Sequence, residues 1–304
     1  MSLETRGKSG FTLGASPVCR SIITTSHGQS ISFSMGKPLF AGRPNRQRRS
    51  PPAMPSERIR CYLPPELWEN EVIRVPSGEA HHLTRVLRLK AGARVTCFDG
   101  RGKEATGTLV RVVREEVFLT LRDTHAVAVP AWEVVLGVAL PRRGKMDQMV
   151  DQATQLGVSR IIPLSTARTV TKVPPGQGNR KQGRLTRVSV EAGKQSGLSR
   201  LPAVDPVTGW SVLLRSFGSY DLVLLAAVYG PHEDLGALVS HQRPRKVLIL
   251  VGPEGDFTPM EIENATHAGA RRIWLGPTVL RCETAAVAAV SVVAFLLRQL
   301  HKVP

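Results

Sequence analysis

Cysteine is scarce in this sequence and is never paired closely. Cys19, Cys61, Cys97 and Cys282 are the only four, none at C-x-x-C spacing. That argues against a zinc ribbon, a thioredoxin-like centre and a disulfide framework. Long apolar runs are missing too. The longest uncharged apolar stretch, Thr284–Leu297, is too short to cross a bilayer and reads as a buried helix, so no membrane partner is expected. No G-K-[ST] follows a glycine-rich turn and no G-x-G-x-x-G opens a helix, so neither a nucleoside triphosphate nor a Rossmann dinucleotide is supported. His81 and His82 are adjacent and cannot share a helix face, which argues against a metal pair.

Acidic residues are few as well. Against 41 Lys and Arg stand 24 Asp and Glu, a formal charge of +17 over 304 residues. Residues 1–56 hold eight of the bases and one acid, Glu4, which leaves roughly +10 on the remainder, a balance that fits a polyanionic partner. That leader is rich in Ser, Thr, Arg and Gly and has no secretory apolar core. It reads as a transit peptide, with chloroplast favoured over mitochondrion by its Ser/Thr content. A basic tail touching RNA through Arg43–Arg49 is the other reading.

Ordered sequence begins near Arg58. Glu79–Leu89 reads as a short helix with Leu83, Val86 and Leu87 on one face. Arg94–Phe98, Glu104–Val113 and Val117–Arg122 read as strands, with a hairpin turn at Asp99, Gly100 and Gly102. Short strands with tight turns over residues 57–127 predict a small β-barrel, and its arginines give it a basic face. Thr124–Pro130 reads as a linker. From residue 128 the pattern becomes α/β: strands at Glu133–Leu140, Arg160–Leu164, Leu222–Ala227 and Val247–Val251 alternate with helices at Lys145–Leu156 and Arg184–Ser196. Val173–Gly183 reads as a flexible basic loop.

The stretch Lys246–Val287 organises this second part. Its apolar strand ends in Gly252-Pro253-Glu254-Gly255. Thr258, Pro259 and Glu261 then open a helix as a capping box with proline at the first helical position, and Gly269 closes it. A strand at Arg272–Leu275 ends in a second Gly-Pro, and Thr284 is expected to cap a last helix, Ala285–Leu300. Two strand ends, each with a Gly-Pro loop, in a parallel sheet are where a ligand would bind.

The segments LVGPEGDFTPMEIENA, LGPTVLRCETAAV, LPRRGKMDQMVDQATQLGV and EAGKQSGLSRLPAV together resemble the ribosomal RNA small-subunit methyltransferase E family of SPOUT methyltransferases, and HHLTRVLRLKAGARVTCFDGRG is similar in the first module. The resemblance runs from about Arg58 to the C-terminus. It implies a PUA-like barrel followed by an α/β domain with a deep trefoil knot, a homodimer, and S-adenosylmethionine-dependent methylation of uridine N3 in small-subunit rRNA. It places the cofactor among three loops: Leu225 and Ala226; Val251, Gly252, Pro253, Glu254 and Gly255; and Leu275, Gly276, Leu280, Arg281, Thr284 and Ala285. Glycines fit such a role because close backbone approach needs no Cβ.

Methylating N3 requires its proton to leave or the charge spreading onto O2 and O4 to be stabilised, a task for Arg and backbone donors. Arg142, Arg143, Lys145 and Arg281 are the candidates, with Glu191 as a possible proton acceptor. N3 lies on the pairing edge, so the base must be unpaired or flipped out. Arg58, Arg60, Arg85, Arg88 and Arg94 of the barrel are the candidates to hold the RNA. The sequence departs from the family pattern at Lys194 before Gln195, at Leu198-Ser199 before Arg200, and at Asp256, which is expected to alter the turn and not the cofactor loop. Two rivals share the fold: a catalytically silent RNA-binding ribosome assembly factor, and a tRNA methyltransferase of the same superfamily.

Overall fold

The computed structural model describes residues 59–142, 144–170 and 178–301. The leader, Arg58 and Arg143 lie outside the described residues. The first module opens with β1 (Arg60–Tyr62), β2 (Ile73–Arg74) and helix α1 (Ser77–His81), which widens into one π turn at His82–Val86. β3 (Arg94–Phe98), β4 (Lys103–Val113) and β5 (Glu116–Ala126) follow. The hydrogen-bonded order is β1-β3-β4-β5-β2, parallel between β1 and β3 and antiparallel elsewhere. β1 and β2 are the two edges, yet Cys61 and Leu63 from one end share a core with Ile73 and Val75 from the other. The sheet therefore folds around a single core, as the predicted barrel requires, although no ladder joins its edges. Asp99 Oδ1 accepts from the backbone N–H groups of Arg101 (2.7 Å) and Lys103 (2.9 Å), which fixes the β3–β4 turn at the place the sequence marks.

Two expectations change here. β5 runs through Ala126, so the linker reading of Thr124–Pro130 holds only for its second half. Val86 is 60% exposed while Leu83 is fully buried. The π turn adds a residue to the helical repeat and rotates Val86 off the face that a 3.6-residue period assigns it.

The second module is built from β6 (Glu133–Ala139), α2 (Met146–Gln155), β7 (Arg160–Ser165), α3 (Gly178–Ser196), β8 (Ala203–Val204), β9 (Thr208–Gly209), α4 (Trp210–Leu214), β10 (Leu222–Ala226), α5 (Leu235–Gln242), β11 (Lys246–Val251), α6 (Pro259–His267), β12 (Arg271–Ile273) and α7 (Cys282–Leu300). Its sheet runs β12-β10-β11-β6-β7-β8, with β9 also on β7, and every ladder is parallel. The central strands are apolar at nearly every position because both faces are covered. Val134, Leu136, Val138 and Ile249 pack beneath α2 and α7, while Val135, Leu248, Leu250 and Phe257 form the opposite layer.

The capping box of α6 is present in both directions, and Gly269 follows that helix at φ +101°. α7 begins earlier than expected. Arg281 is its N-cap residue and makes no side-chain cap, so Thr284 lies inside the first turn. α7 is long and apolar enough to cross a membrane by length and composition alone, but Cys282, Ala286, Ala289, Val290, Val293 and Leu297 are buried in the core. α3 begins at Gly178, so Gly178–Gly183 are helical where a loop was predicted, and residues 171–177 lie outside the described residues. β12 stops at Ile273, releasing Trp274 and Leu275 to the following loop. Residues 274–281 lead from β12 to α7, and the resemblance places its knot in this connection together with the loops after β10 and β11.

Candidate active site

Three strand or helix ends meet in a cavity of about 270 Å³. Its walls are Ala226–Tyr229 after β10, Trp274–Leu280 after β12, and Ala285 of α7. Parallel strands put all their carboxyl ends on one edge, which is why loops far apart in sequence converge there. Gly276 holds φ +128°, a region that β-carbons disfavour, with open space where a side chain would stand.

Of the predicted cofactor residues, Ala226, Leu275, Gly276, Leu280 and Ala285 line this cavity. Leu225 and Val251 do not; both are core residues. Gly252 and Pro253 are buried beneath the site. The reason for glycine at 252 is packing: a Cβ there would stand 3.0 Å from Asp256 Oδ1 and 3.1 Å from the Phe257 nitrogen, and no positive φ is involved. Gly255 lines a neighbouring cavity of about 690 Å³ with Arg168, Asp256 and Arg272, and Tyr229 faces both cavities. Glu254 is exposed and its Oε1 accepts from the Arg142 backbone N–H at 2.9 Å. Arg281 and Thr284 are exposed at the start of α7.

Asp256 does more than alter a turn. It adopts φ +59°, its Oδ1 accepts from the Phe257 N–H at 2.7 Å, and its Oδ2 accepts from the Val228 N–H at 3.2 Å. Val228 lines the cavity, so this carboxylate ties the β11 loop to the β10 loop, contrary to the sequence expectation.

A charged cluster flanks the cavity. Lys145 pairs with Glu283 in the first turn of α7. The hydrogen bond from Lys145, aided by the charge of Arg281, holds the Glu283 carboxyl below its ordinary range. Between them sits Cys282, which sequence reading set aside. Its Sγ donates to the Gly252 carbonyl at 2.9 Å, and burial together with Glu254 and Glu283 pushes the thiol up to about 12, so it stays a donor. The signal that could have found it is its place inside the RCETA segment. Arg142, Lys145 and Arg281 are thus brought to the same two loops. Glu191 is not: it is exposed on α3 and accepts from Lys194 Nζ at 3.1 Å, a helix salt bridge at the joint between the modules.

The predicted RNA contacts also divide. Arg85, Arg88 and Arg94 are exposed, Arg85 pairing with Glu115. Arg60 is 8% exposed and is not available to RNA. Its Nη2 donates to Ser199 Oγ (2.6 Å) and to the Leu198 carbonyl (3.1 Å), pairs with Glu104 (2.9 Å), and the guanidinium lies 4.7 Å over Phe98. The Leu198-Ser199 departure therefore serves the joint between the modules. Lys194, the other departure, reinforces it through Glu79 at 2.8 Å. Arg200 lies over Gly102, where a Cβ would meet its guanidinium at 2.5 Å.

A parallel α/β sheet with an apolar, backbone-walled cavity at its strand ends, joined to a small β-module with exposed arginines, defines a two-part enzyme that works on nucleic acid. Comparison with known proteins makes this specific. The chain belongs to the family of the RNA methyltransferase domain, whose model matches residues 129–294, and the RNA methyltransferase PUA domain matches residues 75–121. Ribosomal RNA small subunit methyltransferase E of Bacillus subtilis is 28% identical over 236 residues, 76% of this chain and 92% of that protein. The enzyme of the same name from Synechocystis is 29% identical over 78% of each chain. The crystal structure of the Neisseria gonorrhoeae ribosomal RNA small subunit methyltransferase E bound to S-adenosyl methionine superimposes with a TM-score of 0.69 at 25% identity, covering 79% of this chain and 98% of that one.

Proposed function

We propose that this chain transfers a methyl group from S-adenosylmethionine to N3 of a uridine in small-subunit rRNA. The observation that carries the reading is the convergence of the β10, β12 and α7 ends on one cavity, with Lys145 paired to Glu283 two residues before Ala285, Arg281 the N-cap residue of the same helix, and Arg142 bonded to the β11 loop. The residues present fit that cofactor: Ala226, Leu275, Leu280 and Ala285 offer apolar contact, and Gly276 presents backbone to the cavity with open space where a side chain would stand. Glu254, Asp256 and Glu283 put negative charge near a site that must accept a cation. When bound, S-adenosylmethionine supplies an electrophilic methyl on a sulfonium.

The chain's own part is positioning and charge. Lys145 is held by Glu283 and is placed, with Arg281, to stabilise negative charge on O2 or O4 as N3 loses its proton. Arg142 is anchored through its backbone to Glu254, leaving its side chain free to reach the base. The exposed arginines of the β-module grip the RNA backbone. We further propose a homodimer, supported by Val292 and Phe295, two large apolar side chains exposed on α7, and import into the chloroplast, with the mitochondrion as the alternative, supported by the composition of residues 1–56.

The test is methyl transfer in vitro. Purified chain, S-adenosylmethionine and small-subunit rRNA should yield a methylated uridine that mass spectrometry of nuclease fragments locates and that blocks reverse transcription, since N3 is on the pairing edge. Methylation of tRNA and not of rRNA would replace the substrate. Cofactor binding without transfer to either RNA would favour the silent assembly factor.

A further inference from the structure

Helix α3 carries a feature that neither the cavity nor the domain joint uses. Arg180, Lys181, Arg184 and Arg187 follow the spacing that gathers side chains on one helix face. Among the described residues, these four line a cavity of about 390 Å³. Surface lysines and arginines on a helix are ordinarily matched by acids a turn away, yet residues 178–190 contain none, and Glu191, one turn past Arg187, is paired with Lys194. The one carboxylate paired there is Asp147 of α2, which binds Arg184. Burial, then the charge of Arg184, lowers the pKa of Lys181, and Asp147 offsets this only in part.

Position gives this surplus a use. Arg184 and Asp147 join α3 to α2 just past Lys145, whose partner Glu283 opens α7 beside Ala285 of the cavity. At the other end of the same helix, Lys194 binds Glu79 of the β-module. Between these two contacts, Arg184 and Lys194, α3 thus spans about 15 Å at 1.5 Å per residue, from the edge of the methyl-transfer site to the β-module. Arg180 and Arg187 stand about 10 Å apart along the helix axis. That is too far for one phosphate and comparable to about three nucleotides of a helical strand. We infer that this face of α3 binds the sugar-phosphate backbone of the RNA between the β-module and the cofactor cavity, an inference that rests on the chain acting on RNA as proposed above.

The experiment replaces the three cations not engaged with Asp147, as Arg180→Gln, Lys181→Gln and Arg187→Gln in one chain. Binding to a small-subunit rRNA transcript and to polyuridylate is followed over a salt series, with S-adenosylmethionine affinity measured by calorimetry. Each lost phosphate contact should lower the slope of log K against log salt by about 0.7, so about 2 for the variant, with cofactor affinity unchanged. An unchanged slope on both RNAs, in a variant that melts like the parent, overturns the inference. If the triple variant melts low, Arg187→Gln alone should lose about 0.7, and Arg187→Lys, which keeps the charge, should restore it. A parent that binds both RNAs with a steep slope but transfers no methyl overturns the proposed reaction and leaves the RNA surface standing.

Discussion

Gly252 and Asp256 shape the cavity from beneath without lining it together. Asp256 can tie Val228 in place only because Gly252 leaves room for its carboxylate. The two positions therefore fail in different ways. Asp256→Gly removes the bond to Val228 but tolerates φ +59°, so its melting temperature should stay near the parent's while affinity for S-adenosylmethionine falls about five- to tenfold, the worth of one hydrogen bond. Gly252→Val drives a branched side chain against the Phe257 backbone and should cost about 1–3 kcal/mol of stability, with cofactor affinity falling in step. Calorimetry beside thermal melting separates the two. Parent-like affinity in Asp256→Gly would show that the β10 loop needs no tie.

The two modules meet through elements that are short, polar and buried. The Leu198–Leu201 segment docks on the β3–β4 hairpin through the Gly102 N–H to the Ser199 carbonyl and the Leu201 N–H to the Gly100 carbonyl, both 2.9 Å. Burial alone would raise the pKa of Glu104, but hydrogen bonds from Ser199 and Arg60 outweigh it and hold the carboxyl low. A group depressed in the folded state stabilises above its unfolded pKa, about 4.3 for Glu, and that contribution disappears as pH falls through the folded value. For Lys194, burial is outweighed by Glu79 and Glu191 and the pKa rises, so its contribution is complete below about 10.4 and is lost only as pH climbs through the higher folded value. Glu104 and Lys194 should thus both keep their charges near neutrality. Glu104→Gln strands the buried Arg60 charge and should cost about 3 kcal/mol at neutral pH. It should also flatten the fall in stability below about pH 5. Urea unfolding across pH 3 to 7 reads both effects, and a variant matching the parent at every pH would remove Glu104 from the joint. None of this joint was legible in the sequence. Arg60 reads as one more basic residue because its partners lie 138 and 139 positions away. The sheet and the α6 capping box were legible, since apolar runs and caps are local patterns. The cavity was legible as loops and not as residues: which side of each loop faces inward depends on packing, as Leu225, Val251 and Gly252 illustrate.

Across the whole molecule, the excess of positive charge matters by where it is exposed rather than by its total. Among the described residues, Arg88 and Arg94 have no ion-pair partner, whereas Arg60 is enclosed by Glu104, Ser199 and Phe98. Arginines that look alike in sequence should therefore separate by experiment. Arg88→Gln with Arg94→Gln should weaken binding to small-subunit rRNA and lower the salt slope by about 1.4, two contacts at about 0.7 each, with thermal melting and cofactor affinity as in the parent. Arg60→Met should do the reverse. It leaves the half-buried Glu104 carboxylate without its cation, so the melting temperature should fall by several degrees, while the salt slope of the fraction that remains folded stays at the parent's value. Binding titrations at several salt concentrations, each normalised to the folded fraction, distinguish these outcomes. If Arg60→Met lowers the slope and leaves melting untouched, Arg60 leaves the joint to reach RNA and the joint opens on binding. If the Arg88 and Arg94 variant loses cofactor affinity as much as RNA affinity, the β-module is coupled to the cavity and is not an independent grip. The structure favours the independent grip, because among the described residues the cavity walls come from the β10, β12 and α7 ends.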